Sequence, residues 1–367
     1  AWVGYEEKPN ITSKETWLKT DYVDKKFINL AKKMGYLIGA YDSYHTMQPP
    51  EKVDSYNTDF GTDFYTKGCV RNKDGKIASG FAGRGCSVSM TALEQTGNFI
   101  INDRIKKFKA DGINSYFLDC HGMLEGYDDY DLAHSQTILT DIAIRLGHLK
   151  YLSDQHLVLG SEAATAYAIP FLAFSHGNFG TLFNIHYRFM KDKNLYGGWG
   201  PARKPAIFFK SIKANDKYAM RYDPQYRLPM LQAVFHESIV TTDRWDTPLT
   251  KFTNLYTDRF ILEFIYGVPS IWNLDIATVR GYKNILQQLV KEFTPLHRKI
   301  MTEELTHFEY LSLDRLIQKT MFGDNKVIMI GNLKNEAFED IPAKSIKIFL
   351  PDTNEVKIIT PEKLRSF

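Results

Sequence analysis

The 367 residues read as an α/β protein: a (β/α)8 TIM-type barrel whose first strand is hard to find, followed by a small C-terminal antiparallel β domain. Three observations predict this. Residues 115 to 162 form a strand, helix, strand unit, which requires a parallel sheet. The length accommodates a barrel of about 250 residues with an extra domain. Beyond Phe308 the pattern changes to short alternating β segments separated by turn residues. The barrel is placed over 1–305, with a hairpin insertion near 48–90, and the β domain over 306–367.

Taken in order, Ala1 to Tyr5 is a short apolar opening that reads as a strand, and Thr12 to Glu15 reads as a capped helix start. Tyr22, Phe27, Ile28, Leu30, Ala31 and Met34 supply the face of a helix that Gly35 closes. Tyr36 to Tyr41 is the next buried strand, ending in Asp42, Ser43, Tyr44 and His45. From Met47 to Val88 the text becomes polar and Gly-rich, with an Asp74-Gly75 turn between Cys69-Val70 and Ile77, read as an inserted ribbon on the active-site face. Thr91 to Ala110 is an amphipathic helix leading into the strand Tyr116-Phe117-Leu118, which stops on Asp119. Leu132 to Leu152 has helical apolar spacing, and Leu157-Val158-Leu159 is a strand that stops just before Glu162.

After Glu162, Ile169 to Phe174 is predicted as a short strand ending in Ser175, His176 and Asn178. Residues 180–227 read as a long connection with a helix or two. Leu228 to Phe235 is predicted as a strand ending in His236 and Glu237, and Val268 to Trp272 as the last barrel strand. Thr278 to Leu305 is helical in pattern. Val327–Asn332, Ser345–Leu350 and Glu355–Ile359 are the strands expected in the terminal domain.

Composition excludes several classes. Hydrophobic residues at 44% and charged ones at 24% are ordinary for a globular chain, which argues against disorder and a membrane fold. A net charge of +3 with Lys and Arg scattered among Asp and Glu gives no basic stripe for nucleic acid. Cys69, Cys86 and Cys120 lack C-x-x-C spacing, which excludes a zinc ribbon and a disulfide framework but leaves room for a Cys69–Cys86 bridge across the hairpin. No cofactor is called for. No signal peptide and no apolar run of membrane length is present; the abrupt start AWVGYE suits a cleaved or truncated chain and tilts the expected location to secreted or periplasmic. The aromatic share of 14% suits rings stacked on a sugar and a large barrel core equally.

In a parallel α/β sheet, residues just past the carboxyl ends of the strands face one cleft. Strand-end positions here include Asp42, His45, Asp119, His121, Glu162, His176, Glu237 and Asp275. Asp119 and Glu162 end consecutive strands, and paired carboxylates on one cleft are the equipment of a glycosidase. Asp119, short and at the strand end, is the candidate nucleophile; Glu162, longer and one strand over, is the candidate acid/base. The competing reading makes Asp119 a loop cap and Glu162 a helix-cap acid or the partner of an arginine. His121, His236 and Glu237 are candidates for holding sugar hydroxyls, as are Asp42 and His45, and Trp245 and Trp272 for stacking, with core packing the alternative for Trp272. Asp42, His45, His121 and His236 are also the set a metal-dependent barrel hydrolase would use, although no His-x-His occurs. A barrel that only binds carbohydrate would not need both acids.

FLDCHG with Asp119, GSEAA with Glu162 and the later FHESIVTTDRW together resemble the barrel of retaining α-glycosidases of glycoside hydrolase families 101 and 129, the α-N-acetylgalactosaminidase type, with their many uncharacterised bacterial relatives. The resemblance spans roughly residues 30 to 275. It implies a (β/α)8 barrel, an Asp nucleophile on the fourth strand and a Glu acid/base after the next, roles that fall on Asp119 and Glu162. The sequence departs from such relatives in length, since they usually have large β-sandwich domains ahead of the barrel, and a compact or truncated version is implied. Relatives differ in their sugar, so the resemblance implies a carbohydrate partner without naming one.

Overall fold

The computed structural model describes residues 25–53, 58–178, 211–214, 216–245, 247–272 and 276–364. The expected strand at Ala1–Tyr5, the helix start at Thr12–Glu15, most of the 180–227 connection and Asp275 lie outside the described residues. The chain separates into two compact units, residues 1–175 and 176–367.

The first unit is built on strands β1 (Gly39–Asp42), β4 (Ser115–Leu118) and β5 (Val158–Glu162). Strand β4 pairs in parallel with β1 on one side and β5 on the other. A two-stranded antiparallel ribbon, β2 (Thr46–Met47) with β3 (Cys86–Ser87), stands between β1 and the helices that follow. The 115–162 unit is as expected: β4 and β5 are joined by the helix Ile138–Asp154, whose Thr137 side chain caps it by accepting from Thr140 N–H. That helix starts later than its apolar pattern, and Leu132 is almost wholly exposed. The expected helix 91–110 is two helices, Met90–Gln95 and Phe99–Ala110. The break sits where Gly97 and Asn98 take positive φ, a conformation that ends helical hydrogen bonding. Strand β1 begins only at Gly39, leaving Tyr36 and Leu37 of the expected strand largely exposed.

The insertion forms the predicted hairpin. Gly75 takes φ 80°, Asn72 N–H donates to Lys76 O at 2.8 Å, and Cys69 and Cys86 are joined by a disulfide. Asp129 fastens it to the loop after β4: one oxygen accepts from Arg71 N–H at 2.9 Å, the other meets His134 Nδ1 at 2.7 Å.

Strand β6 (Phe174–His176) ends the first unit's run of strands, preceded by a 3₁₀ turn at Ile169–Phe171 where an uninterrupted strand was expected. In the second unit two expected strands are absent. Leu228–Phe235 contains Pro229, which has no N–H for a ladder, and its end forms the short helix Gln232–Phe235. Gln232 and His236, four residues apart, are buried while Leu228, Met230 and Val234 are exposed, a helical rather than an alternating pattern. The strand nearby is instead β7 (Val240–Thr242). Val268 to Trp272 is irregular. The antiparallel sheet has the three expected strands, β10 (Val327–Asn332), β11 (Ser345–Leu350) and β12 (Glu355–Ile359), at the predicted bounds. Two more precede them, β8 (Leu305–Tyr310) and β9 (Ile317–Phe322), in the order β12-β11-β10-β9-β8. The buried helix Tyr256–Ile265 packs Ile261, Phe264 and Ile265 into one cluster with Phe322, Met329 and Ile346 of this sheet.

That helix also buries Glu263 beside Arg259 (Nη2 to Oε1, 3.6 Å), with Ser270 donating to the other carboxylate oxygen. Burial raises the Glu263 carboxyl to about 7 against the opposing pull of Arg259. A folded-state value above the unfolded one favours the protonated form, so this contribution is complete below about pH 4.5 and is lost as pH rises through about 7. The full difference is on the order of 3 kcal/mol. We expect the melting temperature to fall between pH 5 and pH 8, and Glu263→Gln to flatten that slope; differential scanning fluorimetry across the range tests it, and an equal slope in both proteins would refute it.

Candidate active site

Strand parity decides which side chains meet. Residues Tyr41, Phe117 and Gly160 are opposite one another in the parallel register of β1, β4 and β5. Side chains two apart on a strand share a face, so Asp119 and Glu162, each two residues beyond, emerge on this same face. One carboxylate oxygen of each and Cys120 Sγ all lie within 4.8 Å of one another. Beneath them an aromatic floor crosses the sheet: Tyr41 stacks on Phe117 at 5.8 Å and Phe117 on Phe174 at 6.3 Å. Gly160 makes room for it, because a Cβ there would come within 2.1 Å of the Phe174 ring.

Both acids are followed by a sharp turn. Cys120 (φ 56°) and Ala163 (φ 46°) occupy the left-handed region, uncommon for residues with a side chain and typical of sites where surrounding contacts enforce it. One such contact is Ser161, on the opposite face from Glu162. Its hydroxyl donates to Leu118 O at 2.6 Å and accepts from Gly122 N–H at 2.8 Å, tying the turn after β4 to β5. Thr165 N–H adds a bond to Gly122 O at 2.9 Å. Gly122 is required here, since a Cβ would meet Ser161 and Leu172 at 2.9 Å.

The pair is asymmetric in its surroundings. Asp119 is half-buried, and the Tyr41 hydroxyl donates to its Oδ2 at 2.7 Å. Glu162 is buried and its Oε2 accepts from the Cys120 thiol at 3.5 Å. Burial, and then the charges of Asp119 and Glu162, push the Cys120 thiol well up, so it remains a protonated donor. Glu125 also acts on Cys120, and it lies 4.0 Å from His45 Nε2, which in turn meets the Tyr127 hydroxyl at 3.1 Å. Burial, assisted by Arg145, lowers His45 to about 3, which leaves the imidazole neutral.

The remaining predicted site residues fall elsewhere. Asp42 has the opposite parity and points to the face covered by the helix Phe99–Ala110. There Arg104 Nη1 binds its Oδ1 at 2.7 Å, Ser43 N–H donates to the same oxygen at 2.8 Å, and the Tyr44 and Tyr116 hydroxyls donate to Oδ2. His121 is wholly buried, its ring stacked on His148 at 5.6 Å, and burial holds it neutral. His236, Glu237, Trp245 and Trp272 belong to the second unit. His236 Nδ1 faces Glu303 O at 2.8 Å with its ring 4.6 Å from Phe322; Glu237 accepts from Ser238 at 2.7 Å; Trp245 is half-buried after β7; Trp272 packs against the helical core beside Tyr282. The set Asp42, His45, His121 and His236 therefore presents no common group of metal donors among the described residues; the group that does converge is Asp119, Cys120 and Glu162. Tyr41, Cys120, Gly160 and Ser161 were not singled out from the sequence as site residues. Counting parity from Asp119 back along β4 and across to β1 would have found Tyr41.

The family described as "Glycosyl hydrolases related to GH101 family, GH129" matches residues 10–321. No curated protein matches the chain. Among solved structures, α-N-acetylgalactosaminidase NagBb from Bifidobacterium bifidum is similar in fold. Its quadruple mutant superposes with a TM-score of 0.58 at 16% identity, covering 91% of this chain and 44% of that one. Its ligand-free form gives 0.57 at 16% identity, covering 92% and 44%. The chain thus spans less than half the length of these relatives.

Gly160→Ala is expected to displace Phe174, break the aromatic floor and destabilise the first unit by about 1–3 kcal/mol, the usual cost of overpacking. A lowered melting temperature together with a changed near-ultraviolet circular dichroism signal is the expected result; a native melt and spectrum would show that the floor does not depend on this glycine.

Proposed function

The chain belongs to the glycosyl hydrolase family GH129, related to GH101, and from that premise we propose that it hydrolyses an α-linked glycosidic bond with net retention of anomeric configuration. The observation that supports this reading most directly is the proximity of the two acids on one face of the sheet, one oxygen of each lying within 4.8 Å of the other. Retaining enzymes hold their carboxyl groups about 5–5.5 Å apart, whereas inverting ones need roughly 6.5–9.5 Å to admit a water.

In this reading Asp119 attacks the anomeric carbon while Glu162, as the acid, protonates the departing glycosidic oxygen. The bond from carbon to the aglycone breaks as the bond to Asp119 forms. Water then enters; Glu162 takes its proton as the hydroxyl attacks the same carbon, and Asp119 leaves as carboxylate. Two inversions give retention. Glu162 is buried at the end of β5, and its longer side chain suits it to reach the departing oxygen. His45, held neutral beside Tyr127 and Glu125, is assigned to a sugar hydroxyl, because a neutral imidazole both donates and accepts.

The same proposal includes closure of the parallel strands into a (β/α)8 barrel over 1–305, with the small β domain following. α-Linked N-acetylgalactosamine is the first sugar to try, since NagBb, the solved structure similar in fold, is named an α-N-acetylgalactosaminidase. Among the described residues no helix is long and apolar enough to cross a membrane.

The test is a panel of aryl α- and β-glycosides with the native chain, Asp119→Asn, Glu162→Gln and a chelator-treated sample. Turnover of an α-glycoside, a loss of roughly 10³-fold or more in both variants, indifference to chelator and an α-configured first product are expected. Activity abolished by chelator would transfer the reading to a metal-dependent hydrolase, and binding without turnover to a carbohydrate-binding barrel.

A further inference from the structure

Resting on that reading, we infer that Tyr41 is a positioning residue that holds Asp119 for attack and stabilises the negative charge that returns to it when it departs. The phenol donates to Oδ2 at 2.7 Å, which leaves Oδ1 as the oxygen for the anomeric carbon. The phenol cannot drift: Tyr41 is on β1 opposite Phe117, and the two rings are stacked at 5.8 Å with an interplanar angle of 18°. The Phe117 ring is itself backed by Phe174 at 6.3 Å. A carboxylate so held does not swing about its Cβ–Cγ bond, and an attacking oxygen must arrive within about 3–3.5 Å of its target in the correct line.

The Tyr41 phenol donates to the Asp119 carboxylate at 2.7 Å. Hydrogen bonds to an ionised group are about twice as strong as those between neutral groups, so the phenol's bond to Asp119 is strongest when the carboxylate carries its charge.

The consequence is unequal for the two chemical steps. In the glycosyl-enzyme, Oδ1 is bonded to carbon and Oδ2 is the carbonyl oxygen of a neutral ester. When water attacks, the carbon to Oδ1 bond breaks, its electron pair returns to the carboxylate, and the proton of the water goes to Glu162. The Tyr41 hydroxyl strengthens its bond to Oδ2 as that charge develops. It therefore accelerates release of the sugar from Asp119 more than formation of the ester, where the charge on Asp119 is being lost.

Tyr41→Phe retains the ring and its stack while deleting the donor. With the aryl α-glycoside that the native chain turns over fastest, kcat should fall roughly 10- to 100-fold and KM should fall with it. A burst of aryl alcohol and a covalent adduct visible by intact mass should appear, with the melting temperature within a few degrees of native. Native kcat and KM in an active background would overturn the inference. So would a fall in kcat without adduct and with a lowered melting temperature, the mark of a structural role. If the native chain turns over no glycoside, the proposed function and this inference fall together, a result distinguishable because Asp119→Asn is then silent as well.

Discussion

Everything proposed for this protein depends on the register between two parallel strands. With Leu118 opposite Ser161, Asp119 and Glu162 leave the sheet on one face, and the Ser161 hydroxyl on the other face joins the two strand ends through Leu118 O and Gly122 N–H. A slip of one residue in either strand would send one acid to the helix-covered side. The serine bridge resists such a slip with two buried hydrogen bonds, and losing one leaves a polar group unsatisfied at a cost of about 1–3 kcal/mol.

The helix-covered face shows what that alternative fate is. Asp42 is also a strand-end acid, but its parity buries it against Arg104, which lies over the Tyr44 and Phe60 rings at 5.4 and 5.2 Å. Two tyrosine hydroxyls and a backbone N–H saturate the carboxylate. Burial pushes its carboxyl upward while Arg104 and these donors oppose it. Such a network holds β1 to the helix Phe99–Ala110; removing one partner would strand a buried charge. Two acids with the same sequence signature thus meet different surroundings, because Asp42 is opposite Leu118 and Asp119 is one residue further on.

This explains how far the sequence could be read. The strand, helix, strand core was visible because a buried parallel strand is a short apolar run and the helix between has its own period. The three terminal strands were visible through alternation and turn residues, whereas β8, with Thr306, His307 and Glu309 exposed or half-exposed, lacks a clear apolar face. Apolar content misled at Leu228–Phe235, where the proline and the helical spacing of Gln232 and His236 outweigh β propensity. Collecting strand-end ionisable residues found Asp119 and Glu162 but could not sort them from Asp42, because sorting needs the position of each residue relative to its neighbour strand. Tyr41, Gly160 and Ser161 become legible only with that register.

The aromatic floor has one more consequence, for how such a site can change over generations. The two acids, the donor to Asp119 and the rings beneath them are anchored in adjacent strands, where small shifts propagate through close packing. His45, Glu125 and Tyr127 lie in loops, in reach of a hairpin insertion that Asp129 and a disulfide hold in place. On the proposed reading, chemistry and recognition fall on separable parts of the fold, so replacements in the loops would alter which sugar is accepted while the paired acids stay intact.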